Sequence, residues 1–326
     1  MDQQTPVCFT NRSGLRLFGV MHTPQGARTD LAVLLLSPGV KMRVGPQGLY
    51  RRMTDEFVRM GIPVLRFDFF GLGDSEGTLR EELLRDVYNH IEVGRFVDDT
   101  IDAMDWMGTE YGTKRFILSG LCGGAITGLL AGGRDARVAG LLGLGITAVL
   151  AASSADASLY MTTGQLQATR RKYIGRLLSP QAWMRLLTLK SDYRLIWRFL
   201  SEPLKQRFAK PPAGEAAPPP EKDNANPLFP PAFFNMLSTK RPMLLVFGGT
   251  DRLQWEFEEK FVARHREKLA ALPALYDVHV IEHANHVLSL TEWQRELLDV
   301  SNRWLAKHYA SDLAVRPTLQ PAESPA

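Results

Sequence analysis

Arg115-Phe116-Ile117-Leu118-Ser119-Gly120-Leu121-Cys122-Gly123-Gly124 is the stretch on which the fold reading turns. Arg115–Ser119 is a short, largely apolar run with strand character. Ala125–Ala131 continues as small and apolar residues of helical character. Between them a cysteine stands at the apex of a tight strand-to-helix turn. Such a turn strains the apex dihedrals, and side chains at Gly120 and Gly124 would collide with neighbouring backbone. The helix N-terminus that follows favours a thiolate. The alternative is that Cys122 is a small buried hydrophobe among glycines.

Working outward, further short apolar runs punctuate the chain: Leu31–Leu36, Ile62–Phe67, Val138–Ile146, Met243–Phe247 and Tyr276–Ile281. They fit buried strands of a mostly parallel sheet. Helical spacing over Tyr50–Met60, Phe96–Met107 and Trp293–His308 alternates with them, which predicts α/β layering. Val7–Phe9 and Leu15–Val20 read as an antiparallel hairpin around Asn11-Arg12-Ser13-Gly14. The alternation stops after Ile146 for some 90 residues. There, Tyr173–Leu189 and Tyr193–Leu204 read as amphipathic helices, followed by the Pro-rich stretch Pro211–Pro220. The expected organisation is one α/β core, 1–150 and 236–312, interrupted by a helical cap at 151–235. A disordered tail at 313–326 closes the chain.

The 326 residues suffice for a large core, and 45% hydrophobic with 23% charged is ordinary for a soluble globular protein. A net charge of +4 argues against a highly charged nucleic-acid tail protein. Two cysteines, Cys8 and Cys122, exclude a disulfide scaffold. The first residues show no basic segment followed by an apolar run, and the 15-residue run Val138–Ala152 is too short for a bilayer. A cytoplasmic location is expected.

Asp251 lies just beyond the Met243–Phe247 run, and His286 lies in the loop after Tyr276–Ile281. Nucleophile, acid and base thus follow in chain order, each after a strand. Cys122 is the expected nucleophile. His286 would deprotonate it and later protonate the leaving group, and Asp251 would fix the imidazole tautomer. Asp251 could instead cap a helix over Gln254–Arg264, and His283 is the rival base. His283 and His286 lack a third ligand at useful spacing, so no metal is expected. The expected oxyanion donors are the Gly123 N–H and, from the loop after Leu36, the Val40 N–H; Pro38 has none to give. Gly71-Leu72-Gly73-Asp74-Ser75 lacks the third glycine of a dinucleotide fingerprint. Asp68 and Asp74 read as loop-fixing acceptors, with Arg66 as a partner for either. No cofactor is expected.

With these motifs in this order, the sequence resembles the α/β-hydrolase superfamily over nearly its whole length. More narrowly it resembles the bacterial exosortase-system-associated hydrolases. That likeness is carried by Arg66-Phe67-Asp68-Phe69-Phe70-Gly71-Leu72-Gly73-Asp74-Ser75-Glu76-Gly77, by Arg43-Val44-Gly45 and by Gly120-Leu121-Cys122. The elbow is also similar to that of dienelactone hydrolases, which lack a large cap, and of polyhydroxyalkanoate synthases, whose third glycine would fall here on Ala125. The resemblance implies an α/β-hydrolase fold and acyl chemistry at ester, thioester or amide bonds without a cofactor.

Sulfur shapes the functional expectation. A Cys–His nucleophile forms a thioester with an acyl group, so exchange from an incoming thioester is nearly isoenergetic. A hydrolase or thioesterase is expected. An acyltransferase or cyclase on the same intermediate is the alternative, and a non-catalytic binding protein the lesser one. Residues 161–210 carry eleven Lys or Arg against two Asp or Glu, interleaved with Trp183, Tyr193 and Trp197. This suggests an apolar face over an acyl pocket and a basic face for an acidic acyl carrier protein or an anionic membrane. A solvated basic face is the plainer reading. The expected substrate is small or carrier-bound, nucleic acid is not expected, and a homodimer through the cap is an option.

Overall fold

A computed structural model describes residues 3–26, 30–150 and 223–313. The chain divides into two compact units, Met1–Ala151 with Ala225–Ala326, and Ala152–Asn224. The expected cap as far as residue 222, with its basic segment and Pro-rich stretch, lies outside the described residues, as does the tail from residue 314.

The first unit is built on an eight-stranded sheet: β1 Gln3–Thr10, β2 Arg16–Thr23, β3 Leu31–Leu36, β4 Val64–Phe67, β5 Arg115–Leu121, β6 Val138–Leu144, β7 Met243–Gly248 and β8 Tyr276–Ile281. Its order is β1-β2-β4-β3-β5-β6-β7-β8. Only β2 runs against its neighbours; the pairings from β4 through β8 are all parallel. The mostly parallel α/β sheet is as the apolar runs predict.

β3 shows why these runs become central strands. All six residues are buried. Leu31, Val33 and Leu35 face α1 (Leu49–Arg59) and the C-terminal helix Thr291–Tyr309, while Ala32, Leu34 and Leu36 face α3 (Val97–Tyr111) and α4 (Gly123–Arg134). Each fully buried leucine contributes about 1.5–3 kcal/mol of transfer free energy, which favours a strand covered on both sides.

The two longest helices that escaped the periodicity are α2, Leu84–Glu92, and α5, Phe229–Ser238. α2 buries Val87 and Ile91. α5 falls mostly within the expected cap yet packs on α4 of the core: methionine Met236 abuts Gly132, and Ala232 abuts Gly133. Its prolines stand in the first turn, where a missing N–H costs nothing. β6 ends two residues before the apolar run does, because Gly145 takes φ +49° and gives its N–H to the Val246 carbonyl. That turn and the ends of β3, β5, β7 and β8 gather at the C-terminal edge of the parallel strands.

Candidate active site

Cys122 caps α4 with φ +55° and ψ −112°, a conformation that is costly for a residue with a Cβ. Its N–H is held by the Leu144 carbonyl at 2.8 Å. The crowding expected around it is real. A Cβ on Gly120 would lie 2.6 Å from the Gly124 carbonyl carbon, and one on Gly124 would lie 2.4 Å from the Leu36 oxygen. Backbone fills the space where side chains would go, so the turn closes only with glycine there. The sulfur-bearing residue is half-buried.

His286 and Asp251 meet across 35 residues of sequence. The ring Nδ1 and the carboxylate Oδ2 are 2.6 Å apart. Asp251 also caps the short helix Arg252–Phe257, its Oδ1 accepting the Leu253 N–H at 3.3 Å. The capping and ring-holding readings of Asp251 therefore coexist, one carboxylate oxygen for each. The helical path it caps continues through the π-helical turn Glu258–Val262 and the 3-10 turn Ala263–His265, and so covers the expected Gln254–Arg264 helix. His286 is 35% exposed at its side chain and Asp251 is buried. His283, the rival base, has φ +60° and is exposed.

Burial pulls the His286 pKa down, but hydrogen bonds to Asp251 and Cys122, with the negative charge of each, outweigh it and push it up to about 10. Asp251 occupies Nδ1, so Nε2 is the ring nitrogen left for sulfur. The floor under this pair is Gly145. A Cβ there would lie 3.2 Å from the ring Cε1 and Nδ1 and 3.4 Å from Asp251 Oδ2, on a backbone already at positive φ.

The loop after β3 comes up beside the elbow. A Cβ on Gly123 would lie 2.8 Å from the Gly39 Cα. Gly39 therefore abuts the first residue of α4, whose N–H is one that a helix leaves without an internal acceptor, and Val40 follows Gly39 in the chain. Among the described residues neither the Gly123 nor the Val40 N–H has a protein acceptor. α2 lines the same place: Tyr88 packs on Gly39, and Ile91 on Gly123.

The outer end of this loop is tied to Asp68, which is fully buried. Its carboxylate accepts from the Arg43 backbone N–H, pairs with the Arg43 guanidinium and receives the Asp74 N–H at 3.3 Å. Arg43 also reaches Asp74 at 2.6 Å. The loop-fixing role read for Asp68 thus holds in the geometry, but the expected partner, Arg66, pairs with neither acid. Arg66 lies instead against His22, 3.0 Å from its Nε2. Arg43 comes from the very loop being fixed, so its charge and its backbone act on one carboxylate.

Among the described residues, no group of His, Cys, Asp or Glu is arranged to hold a metal ion, and no helix is long and apolar enough to cross a membrane.

The chain is similar in structure to an esterase from Pyrococcus furiosus, with a TM-score of 0.57 at 16% identity over 94% of this chain and 92% of that one. It is also similar to a dienelactone hydrolase from Anabaena variabilis, at 0.55 and 15% over 94% and 98%. An alpha/beta hydrolase from a Penicillium species gives 0.53 and 18% over 94% and 99%. No curated protein sequence shows significant similarity to it. The alpha/beta hydrolase family profile matches residues 34–300, and the chain belongs to that family.

Proposed function

We propose that this alpha/beta hydrolase is an acyl-processing enzyme in which Cys122 is the nucleophile, His286 the acid–base and Asp251 the residue that orients it. The single observation carrying the reading is that a cysteine occupies the strained turn while the only carboxylate-held histidine of that loop faces it. A ring whose pKa stands near 10 is protonated at neutral pH. That is a poor state for activating a serine, but it is the natural counter-ion of a thiolate.

In this reading the thiolate attacks the acyl carbonyl, forming a carbon–sulfur bond. The oxyanion is received by the Gly123 and Val40 N–H groups. The intermediate collapses with rupture of the bond to the alcohol or thiol leaving group, which takes its proton from His286. Neutral His286 then takes a proton from water as the water attacks the thioester, and Cys122 is restored. An alcohol or amine in place of water turns the same cycle into acyl transfer. A thioester intermediate favours that second outcome more than an ester would, because it remains activated.

Incubation with an activated acyl thioester, followed by intact-mass analysis, tests the proposal. The expected result is one acyl adduct, mapped to Cys122 and absent from Cys122→Ala. Full turnover by Cys122→Ala would overturn it. Product analysis with and without added alcohol or amine then separates hydrolysis from transfer. Comparing carrier-bound with small-thiol donors at two salt concentrations tests docking of an acidic carrier by the basic 161–210 segment; equal rates at both would reject that docking.

A further inference from the structure

Tyr50, the second residue of α1, is fully buried beneath the site, and its hydroxyl joins two strands. It donates to the Leu36 carbonyl at 2.7 Å and accepts the Leu121 N–H at 2.8 Å. β3 and β5 pair in register as far as Leu36 and Gly120. Beyond that rung β3 turns away through Ser37-Pro38, and Pro38 brings no N–H to extend the ladder. The phenol stands where the two strands part and satisfies both backbone groups that the parting would orphan.

The position of that bridge matters. One arm ends at Leu36, a few residues before Gly39 and Val40; the other ends at Leu121, immediately before Cys122 and Gly123. The Leu36 oxygen is also the atom that a Cβ on Gly124 would strike, so this carbonyl is wedged between the phenol and the elbow. Gly45, from the far end of the same loop, packs on the Tyr50 ring. The hydroxyl thus sets the separation of the two chain segments that would supply the oxyanion donors.

We propose that Tyr50 is a positioning residue for the transition state: its hydroxyl holds the Val40 and Gly123 N–H groups at the spacing an acyl oxyanion needs. It touches neither substrate nor sulfur. The inference rests on the reading of Cys122 as acyl acceptor.

Two reactions of the same sulfur separate the roles. In acylation by p-nitrophenyl acetate, sulfur bonds to the carbonyl carbon, the carbon–oxygen bond breaks and p-nitrophenolate leaves; an oxyanion forms on the way. In alkylation by iodoacetamide, sulfur displaces iodide from a saturated carbon and no oxyanion forms. Both rates are measured at Cys122 in a Cys8→Ser background, since Cys8 is exposed. Tyr50→Phe keeps the ring and removes only the bridge. Acylation should fall roughly 10- to 100-fold, in line with a displaced oxyanion donor, while alkylation stays within about twofold. Thr54→Val, which loses a buried hydrogen bond to the Tyr50 carbonyl, is the control for weakening of the same helix and should leave both rates near wild type. Equal losses in both reactions, unchanged acylation by Tyr50→Phe, or an equal slowing by Thr54→Val would each overturn the proposal. If wild-type Cys122 is alkylated but never acylated, the nucleophile reading itself fails and this inference falls with it.

Discussion

His22, within strand β2, and His286, in the loop after β8, are driven to opposite charge states. Burial pushes both toward the neutral form. His22, at 3% exposure, has the Arg66 guanidinium for a neighbour, and its pKa falls to about 4. His286 faces a carboxylate and a sulfur, and its pKa rises to about 10. Burial is the first cause of the low value at His22, with Arg66 adding to it, whereas at His286 burial is overcome by the carboxylate and the sulfur. The lesson is practical: a buried histidine is informative only together with what it touches. One of these rings is a neutral acceptor that satisfies an arginine. The other is a ring that a carboxylate and a neighbouring sulfur hold toward the protonated form.

The largest test of this contrast is to delete each ring. His286→Gln should reduce acylation of Cys122 by about 10³-fold or more, measured by the p-nitrophenolate burst, because the group that takes the Cys122 proton and pairs with the thiolate goes. His22→Gln should leave that rate within about twofold. A large loss from His22→Gln would erase the distinction. Next in size, Asp251→Asn keeps an oxygen for the Leu253 cap but removes the charge that raises the ring; a loss of roughly 10²-fold in kcat, with the alkaline limb of the pH–rate profile moved to lower pH, is expected. A smaller effect, about tenfold, should follow Gly145→Ala, which presses a methyl against the His286 ring and adds strain at positive φ; its readout is kcat with KM unchanged.

The smallest effects are in stability, and there the two rings should differ in sign. The folded pKa of His286 lies above its unfolded value, so its contribution is fully present below about pH 6.5 and is lost as pH rises through 10. The folded pKa of His22 lies below its unfolded value, so its contribution is fully present above about pH 6.5 and is lost as pH falls toward 4. Urea unfolding of wild type, His22→Gln and His286→Gln across pH 4–10 should show the first variant flattening the acid side and the second the alkaline side. Parallel curves for the two variants would refute the opposed ionisation.

Much of this architecture was legible because it is written in strong local signals. Leu31–Leu36 and Met243–Phe247 are apolar without interruption, as strands buried on both faces must be. The candidate site residues announce themselves by standing just after such runs, in the order Cys122, Asp251, His286. The short helix Leu84–Glu92 was not legible, since its inward face holds few apolar residues, Val87, Tyr88 and Ile91, and includes the charged Glu92. Helix Phe229–Ser238 was hidden because Pro230 and Pro231 stand in its apolar run, and most of it fell inside the expected cap. The choice of Arg66 over Arg43 for Asp68 followed proximity in sequence, whereas the ion pair forms across 25 residues once the loop folds back. Tyr50 gave no signal at all: a tyrosine at an inward helical position reads as core, and only coordinates reveal a hydroxyl lodged between two strand ends.

Gly120, Gly123, Gly124 and Gly145 carry a consequence for any saturation library made on this gene. A single added carbon would strike backbone at Gly120, Gly123 and Gly124, and at Gly145 it would crowd the histidine–aspartate pair on a backbone already at positive φ. In such a screen the site would stand out less by its reactive groups than by four positions where even alanine is depleted, a footprint of intolerance drawn by empty space.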